Sequence, residues 1–303
     1  MVDFTNYEIN IFRGYGGKNG SKIAIVIDGE NYMLKIPPAA KNNPEMSYSN
    51  SSISEHIGCN IFNLLGVEAQ KTILGKFNDK LAVACKDFNT DNYQLMEFAL
   101  LKNQIIDSSG HGYGVELSEI LETIKSQSLI PQEELMSHFW DIFIVDALIG
   151  NFDRHNGNWG LLINERHQIA KVAPIYDCGS CLYPQLTDQN MKDILNDQKE
   201  IENRIFVFPN SILRENNVKI NYYNFLTTTN NSDCIEALGR IGQRIDLSAI
   251  NYLIDDTPYI SGIYKTFLKT IIQERKEKIL DKAIEIHKIN FKSNDSIDME
   301  YER

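Results

Sequence analysis

The sequence predicts an α+β fold in two lobes, strand-rich first and helical after. Two patterns and one length point to it. Short apolar runs alternate with polar residues over positions 8–36 and 72–85, and Asp28-Gly29 between two of these runs is a strong hairpin signal. From about residue 91 the apolar spacing becomes helical, over 93–101, 117–126, 131–149 and most of the final third. A chain of 303 residues is long enough for two lobes that each bury apolar surface. The predicted division is 1–88, 89–290 and a disordered tail over 291–303.

In chain order, strands are expected at Glu8 to Phe12, Ile23 to Ile27 and Tyr32 to Ile36. A glycine cluster, Gly14-Tyr15-Gly16-Gly17-Lys18-Asn19-Gly20, separates the first two. Gly16 and Gly17 could present backbone N–H groups to a phosphate; a flexible hairpin tip explains the same residues. No Walker-type Gly-Lys-Ser/Thr follows, which argues against a P-loop. Lys35 lies in an apolar strand just before Pro37-Pro38, either as a snorkelling side chain or as a cation for phosphates. After a polar loop, Ile57, Ile61, Leu64 and Leu65 share one face of a helix that stops near Gly66. Glu55 in its first turn is either the last member of a capping box, Ser52-x-x-Glu55, or the partner of the strand lysine. Strands Thr72 to Phe77 and Leu81 to Cys85 then lead into Lys86-Asp87-Phe88, where two such lobes would join.

Within the helical part, a polar turn carries the chemistry-bearing residues. Leu148-Ile149-Gly150-Asn151-Phe152-Asp153-Arg154-His155-Asn156-Gly157-Asn158-Trp159-Gly160 has apolar segments on both sides, so a buried helix and a strand would hold the loop between them. Asp153 and Asn158 at this spacing match a kinase catalytic loop, with the Asp as proton acceptor and the Asn as a magnesium ligand. A hairpin over 160–175 ends in Tyr176-Asp177-Cys178-Gly179, and Asp177 at a strand end is the place and residue type for a second magnesium ligand. Cys178 and Cys181 form a lone C-x-x-C, a weak metal or redox signal. Residues 185–230 look irregular apart from one helical patch near Met191 to Ile205. Helices follow over 233–241, 247–254 and 263–287.

Composition narrows the function class. A formal net charge of −11 disfavours non-specific binding to nucleic acid or acidic membranes. Asp141 and Asp146 interrupt the best apolar run, so no membrane span is expected. Five cysteines in apolar contexts point to reduced thiols and a cytoplasmic setting. The N-terminus carries no secretory signal, and delivery into a host cell would need a route without a cleaved leader.

With Lys35, Glu55, Asp153, Asn158 and Asp177 placed, the chain resembles the HipA-like kinases over residues 3–287. The segments that carry the resemblance are Asn151 to Gly160 and Ala173 to Ser180, supported by Ala84 to Phe88, Pro37-Pro38 and Glu45 to Tyr48. The resemblance implies a bilobal protein-kinase-like fold with a β-rich N-lobe over ATP and a helical C-lobe. It implies a protein serine/threonine kinase that uses ATP and Mg2+, with Asp153 as base and His155 orienting the loop. Asn158 and Asp177 would hold the metal, Lys35 the phosphates, and Glu55 would pair with Lys35. The backbone of Lys86 and Phe88 would face adenine. A protein substrate, autophosphorylation and an effector or toxin role also come from the resemblance. HipA is regulated through a serine in its glycine-rich loop; aligned on Lys22, the comparable place here is Tyr15, and Ser21 is the only loop serine. The chain lacks HipA's extra N-terminal subdomain, and an antitoxin-like partner is compatible with the sequence but not implied by it. Asp-Arg-His-x-x-Asn is also similar to the loop of phosphoinositide kinases, which makes a lipid or small-molecule kinase the alternative.

Overall fold

The computed structural model describes residues 2–15, 21–37, 48–90, 92–106 and 110–289. Gly16, Gly17 and the 291–303 tail lie outside these residues.

A five-stranded sheet in the order β1-β4-β5-β3-β2 forms the first part. Its strands are β1 (Val2–Asp3), β2 (Ser21–Ile27), β3 (Glu30–Ile36), β4 (Thr72–Phe77) and β5 (Lys80–Lys86). The β2–β3 turn is the one the sequence marks: Asp28 and Gly29 have φ of 49° and 79°, both left-handed, as a two-residue turn matched to strand twist requires. Asn78 and Asp79 repeat this between β4 and β5, at 48° and 60°. Alternation along β3 sends Leu34 into a small core with Phe4, Ile25 and Ala84, and turns Lys35 to the opposite face. That face is covered by helix α1 (Ser51–Leu64), which packs on β4 and β5.

Helix α1 is the hinge of the packing. Ile53, Ile57, Ile61 and Phe62 belong to the large core, together with Val83 and Cys85 of β5 and Trp140, Phe143 and Leu148 further along the chain. Its N-cap is Asn50, which makes no side-chain cap bond. The capping-box reading of Ser52 and Glu55 therefore fails: both are buried, and Glu55 turns across to the sheet.

The second part has a three-stranded sheet in the order β6-β7-β8, made of β6 (Gln94–Glu97), β7 (Gly160–Asn164) and β8 (Ile169–Val172). Around it lie α2 (Phe98–Ile105), α3 (Leu117–Ser126) and the long α4 (Gln132–Ile149). Next come α5 (Asp188–Leu195), α6 (Gln198–Glu202) with a π turn at Asn203–Val207, and a β9–β10 hairpin (Arg214–Glu215, Val218–Lys219). Helices α7 (Tyr222–Thr228), α8 (Ser232–Arg244), α9 (Leu247–Asp256) and α10 (Gly262–Arg275) close the array, and α10 continues helically through a π turn.

Three expectations need correction. Glu8 to Phe12 is not a strand: Ile9 makes a single bridge to Ile25, and Ile11 and Phe12 are 80% and 94% exposed. The stretch 93–101 is not one helix, because Gln94–Glu97 pairs with Gly160–Ile163 before α2 begins. Residues 185–230 hold the helical patch expected near Met191 to Ile205, as α5, α6 and the π turn, but the rest is not irregular: it adds the β9–β10 hairpin and α7. Among the described residues no helix is long and apolar enough to cross a membrane.

Candidate active site

The loop that follows α4 is fixed at both ends. Helix α4 closes on Gly150 at φ 63°, whose N–H caps the Asp146 carbonyl. Arg275 of α10 donates to the Ala147 carbonyl at 2.9 Å, placing a cation at the negative end of α4. The Tyr222 hydroxyl donates to the Asn151 carbonyl at 2.6 Å. Inside the loop, Asp153 N–H donates to Asn151 Oδ1 at 3.1 Å. The Asp153 carbonyl accepts from His155 N–H at 2.9 Å and from Asn158 Nδ2 at 2.8 Å. With its amide nitrogen committed, Asn158 has its amide oxygen left as the donor it could offer a cation. His155 Nδ1 accepts from Gly157 N–H at 3.0 Å, so the imidazole shapes the turn.

Asp177 comes from the segment after β8. Ile175 N–H donates to Glu68 O and Ile175 O accepts from Gln70 N–H, both at 2.8 Å, which ties this segment to the start of β4. Asp177 itself has φ 58°, a left-handed conformation that Asp tolerates better than most residues. Lys35 Nζ lies 2.9 Å from Glu55 Oε1 and 3.1 Å from Asp177 Oδ1. Glu55 Oε1 also accepts the Asp177 N–H at 3.1 Å. A strand, a helix and a distant turn thus meet at one carboxylate oxygen.

Charge follows from this geometry. Lys35 holds the Asp177 carboxyl down at about 2. Burial alone would lower the Lys35 ammonium, but Asp177 and Glu55 outweigh it and keep the amine protonated, well above its ordinary value. Burial raises the Asp153 carboxyl above the usual range; His155 opposes this, and the Asp177 charge adds to it. Asp153 is therefore the better proton acceptor of the two, and Asp177 the more firmly ionised carboxylate.

The linker between the parts is also built. Lys86 N–H donates to Lys71 O, and its carbonyl accepts from Gln70 Nε2, each at 2.8 Å. Phe88 makes no main-chain bond among the described residues, and its ring lies 5.5 Å from that of Tyr176. Of the two residues named for adenine, Phe88 therefore has the freer backbone.

Several site-shaping residues escaped the sequence reading. Asp87 receives Arg13 Nε at 2.6 Å and the Tyr15 hydroxyl at 2.7 Å, which pins the chain entering the glycine cluster to the linker. Arg154 makes a buried ion pair with Asp146, Nε to Oδ2 at 3.0 Å. An arginine next to a loop aspartate has no spacing that distinguishes it from a solvated one; the only hint was Asp146 inside an apolar run. Cys178 and Cys181 are buried free thiols, and among the described residues no three His, Cys, Asp or Glu converge as a metal cage.

A family model described as HipA-like C-terminal domain matches residues 16–241. The chain belongs to the HipA-like serine/threonine kinase family. It is 48% identical over 283 residues to the serine/threonine-protein kinase CtkA of Helicobacter pylori, covering 93% of this chain and 87% of that protein. The crystal structure of a Helicobacter pylori proinflammatory kinase CtkA superposes with a TM-score of 0.90, at 48% identity, over 93% of this chain and 96% of that one. HipA of Shewanella oneidensis, solved with HipB and operator DNA, shares the fold at a TM-score of 0.57 and 15% identity, over 90% of this chain and 68% of that one. The bilobal HipA-like architecture expected from the sequence is the one found.

Proposed function

We propose that the chain is a protein serine/threonine kinase that moves the γ-phosphoryl group of ATP, with Mg2+, onto a protein hydroxyl. The observation that carries this reading is the meeting of Lys35, Glu55 and Asp177 beside the Asp153–Asn158 loop. Phosphoryl transfer needs charge neutralisation and in-line positioning more than covalent chemistry. The residues present suit that need. Residues 1–88 would cover the nucleotide, with Lys35 on its phosphates and Glu55 holding Lys35 in place. Residues 89–290 would carry the chemistry, with Asp153 taking the acceptor proton.

The donor set fits magnesium. A carboxylate and an amide oxygen are hard ligands, and magnesium keeps water and phosphate for its remaining positions instead of asking for a full protein cage. Asp177 and Asn158 would hold it; when bound, it neutralises charge on the phosphate oxygens. The name of the Helicobacter relative supports the choice of a protein hydroxyl as acceptor and, through the word proinflammatory, an effector role.

The test is transfer from labelled ATP to protein in a lysate, with phosphoinositide vesicles as the competing acceptor and the enzyme alone to read autophosphorylation. Wild type should label protein, and Asp153→Ala should label it roughly two to four decades more slowly, the range for loss of a general base. Transfer at the normal rate by Asp153→Ala would remove Asp153 from its role. Labelling of lipid alone would move the chain to the other kinase class.

A further inference from the structure

Arg154 has more contacts than a loop residue needs. Its side chain is buried. Nε and Nη2 donate to the two carboxylate oxygens of Asp146, at 3.0 and 3.3 Å. Nη1 donates to the Asn158 carbonyl at 2.9 Å and also to the Tyr176 carbonyl. Nη2 lies 3.3 Å from Cys178 Sγ. One planar group therefore holds the main chain of Asn158 and both neighbours of Asp177. Asp146 in turn accepts from Asn151 Nδ2 at 2.9 Å, and Asn151 Oδ1 accepts the Asp153 N–H.

Stability does not explain this arrangement. Desolvating a buried ion pair costs several kcal/mol, and well-packed apolar residues often replace such pairs without loss. What an apolar replacement could not do is donate to two carbonyls that come from segments far apart in sequence. A lysine could not do it either, because an ammonium lacks the fixed fork of a guanidinium.

We propose that Arg154 is a positioning residue that sets the distance between the oxygen donors of Asn158 and Asp177, and so sets the affinity for the divalent cation. This rests on the kinase reading above. Groups that orient metal ligands without touching the metal typically account for 10- to 100-fold in affinity.

The test measures two affinities on one protein: Mn2+ binding by electron paramagnetic resonance with ADP present, and ADP binding in EDTA. Arg154→Lys should weaken Mn2+ by roughly 10- to 100-fold while ADP affinity in EDTA stays within about twofold. The double variant Asp146→Asn with Arg154→Met removes both buried charges together, so no lone charge is left to unfold the chain. It should show the same split. The proposal is overturned if Mn2+ affinity is unchanged in the lysine variant. It is equally overturned if both affinities fall by one factor, or if neither variant folds, since each marks Arg154 as merely structural. If wild type binds ADP with no Mn2+ at all, the magnesium-kinase reading itself fails.

Discussion

Glu55 Oε1 accepts from Lys35 Nζ and from the Asp177 N–H, and its side chain is only 2% exposed. Removing the cation alone strands a buried carboxylate. Lys35→Met should therefore destabilise the fold by about 3–5 kcal/mol, whereas Lys35→Met with Glu55→Gln should cost clearly less. Urea midpoints of the two variants check this, and equal midpoints would mean that Glu55 has no need of Lys35. A second residue-scale prediction concerns His138 on α4. Its Nε2 is buried with no partner among the described residues, and burial holds the imidazole down at about 4. In the unfolded chain it takes a proton near 6.5, so its contribution is complete above about pH 6.5 and is lost as pH falls toward 4. The residue as a whole is only partly buried, so about 3 kcal/mol is an upper bound. Urea midpoints of wild type and His138→Gln should diverge across this window; parallel curves would refute the assignment. At this scale, the legible residues were those in a fixed local pattern. Asp153 and Asn158 lie five apart in one turn, and Asp177 lies directly before Cys178-Gly179, though not at the expected strand end, because β8 stops at Val172. Glu55 stayed ambiguous because a capping box and a lysine partner ask for the same residue at the same place. Arg154 and Asp87 work through partners that only folding brings near, so no spacing could mark them.

Among the elements, α1 carries Glu55 into the site, and its approach depends on Gly58. A Cβ there would lie 2.8 Å from both Cys178 Cβ and Cys181 Sγ. Alanine would gain about 1 kcal/mol of helix propensity. Overpacking costs about 1–3 kcal/mol, and the obstructing Cβ of Cys178 sits close to the main chain and has little room to give. The cost should win. Gly58→Ala is expected to lower stability by about 1 kcal/mol and to weaken nucleotide binding, because it pushes Glu55 away from Lys35 and Asp177. A variant that is more stable than wild type and binds ADP equally well would show that the contact relaxes freely. Helix α1 was visible in the sequence through its apolar spacing, and the β2–β3 hairpin through Asp28-Gly29. Strand β6 was not, because Gln94–Glu97 is a strand only by virtue of β7, more than sixty residues later. The patch near Met191 to Ile205 was visible and holds α5, α6 and the π turn, but α7 was hidden for a related reason: it is too short for its own periodicity to show, and tertiary packing holds it.

Across the whole molecule, the large core ignores the proposed boundary at residue 88. It runs from α1 and β5 through α4 to α10, while the small core on the other face of the first sheet holds Phe4, Ile25, Leu34 and their neighbours. Two lobes with separate cores would unfold separately; here α1 belongs to both parts at once. Both tryptophans, Trp140 and Trp159, lie in the large core on the helical side, so their fluorescence reports one part while far-UV circular dichroism reports both. The shared core predicts that the two signals change at the same urea concentration. A ligand that binds against the Lys35–Asp177 pair stabilises whatever unfolds with it. ADP with Mg2+ at about 100 times its dissociation constant should add about 2.7 kcal/mol and shift both signals together. Separate midpoints, with only the dichroism moving on addition of nucleotide, would mean that the sheet and α1 come away from the helices before the rest unfolds, and that the cleft is held together by its ligand instead of by the core.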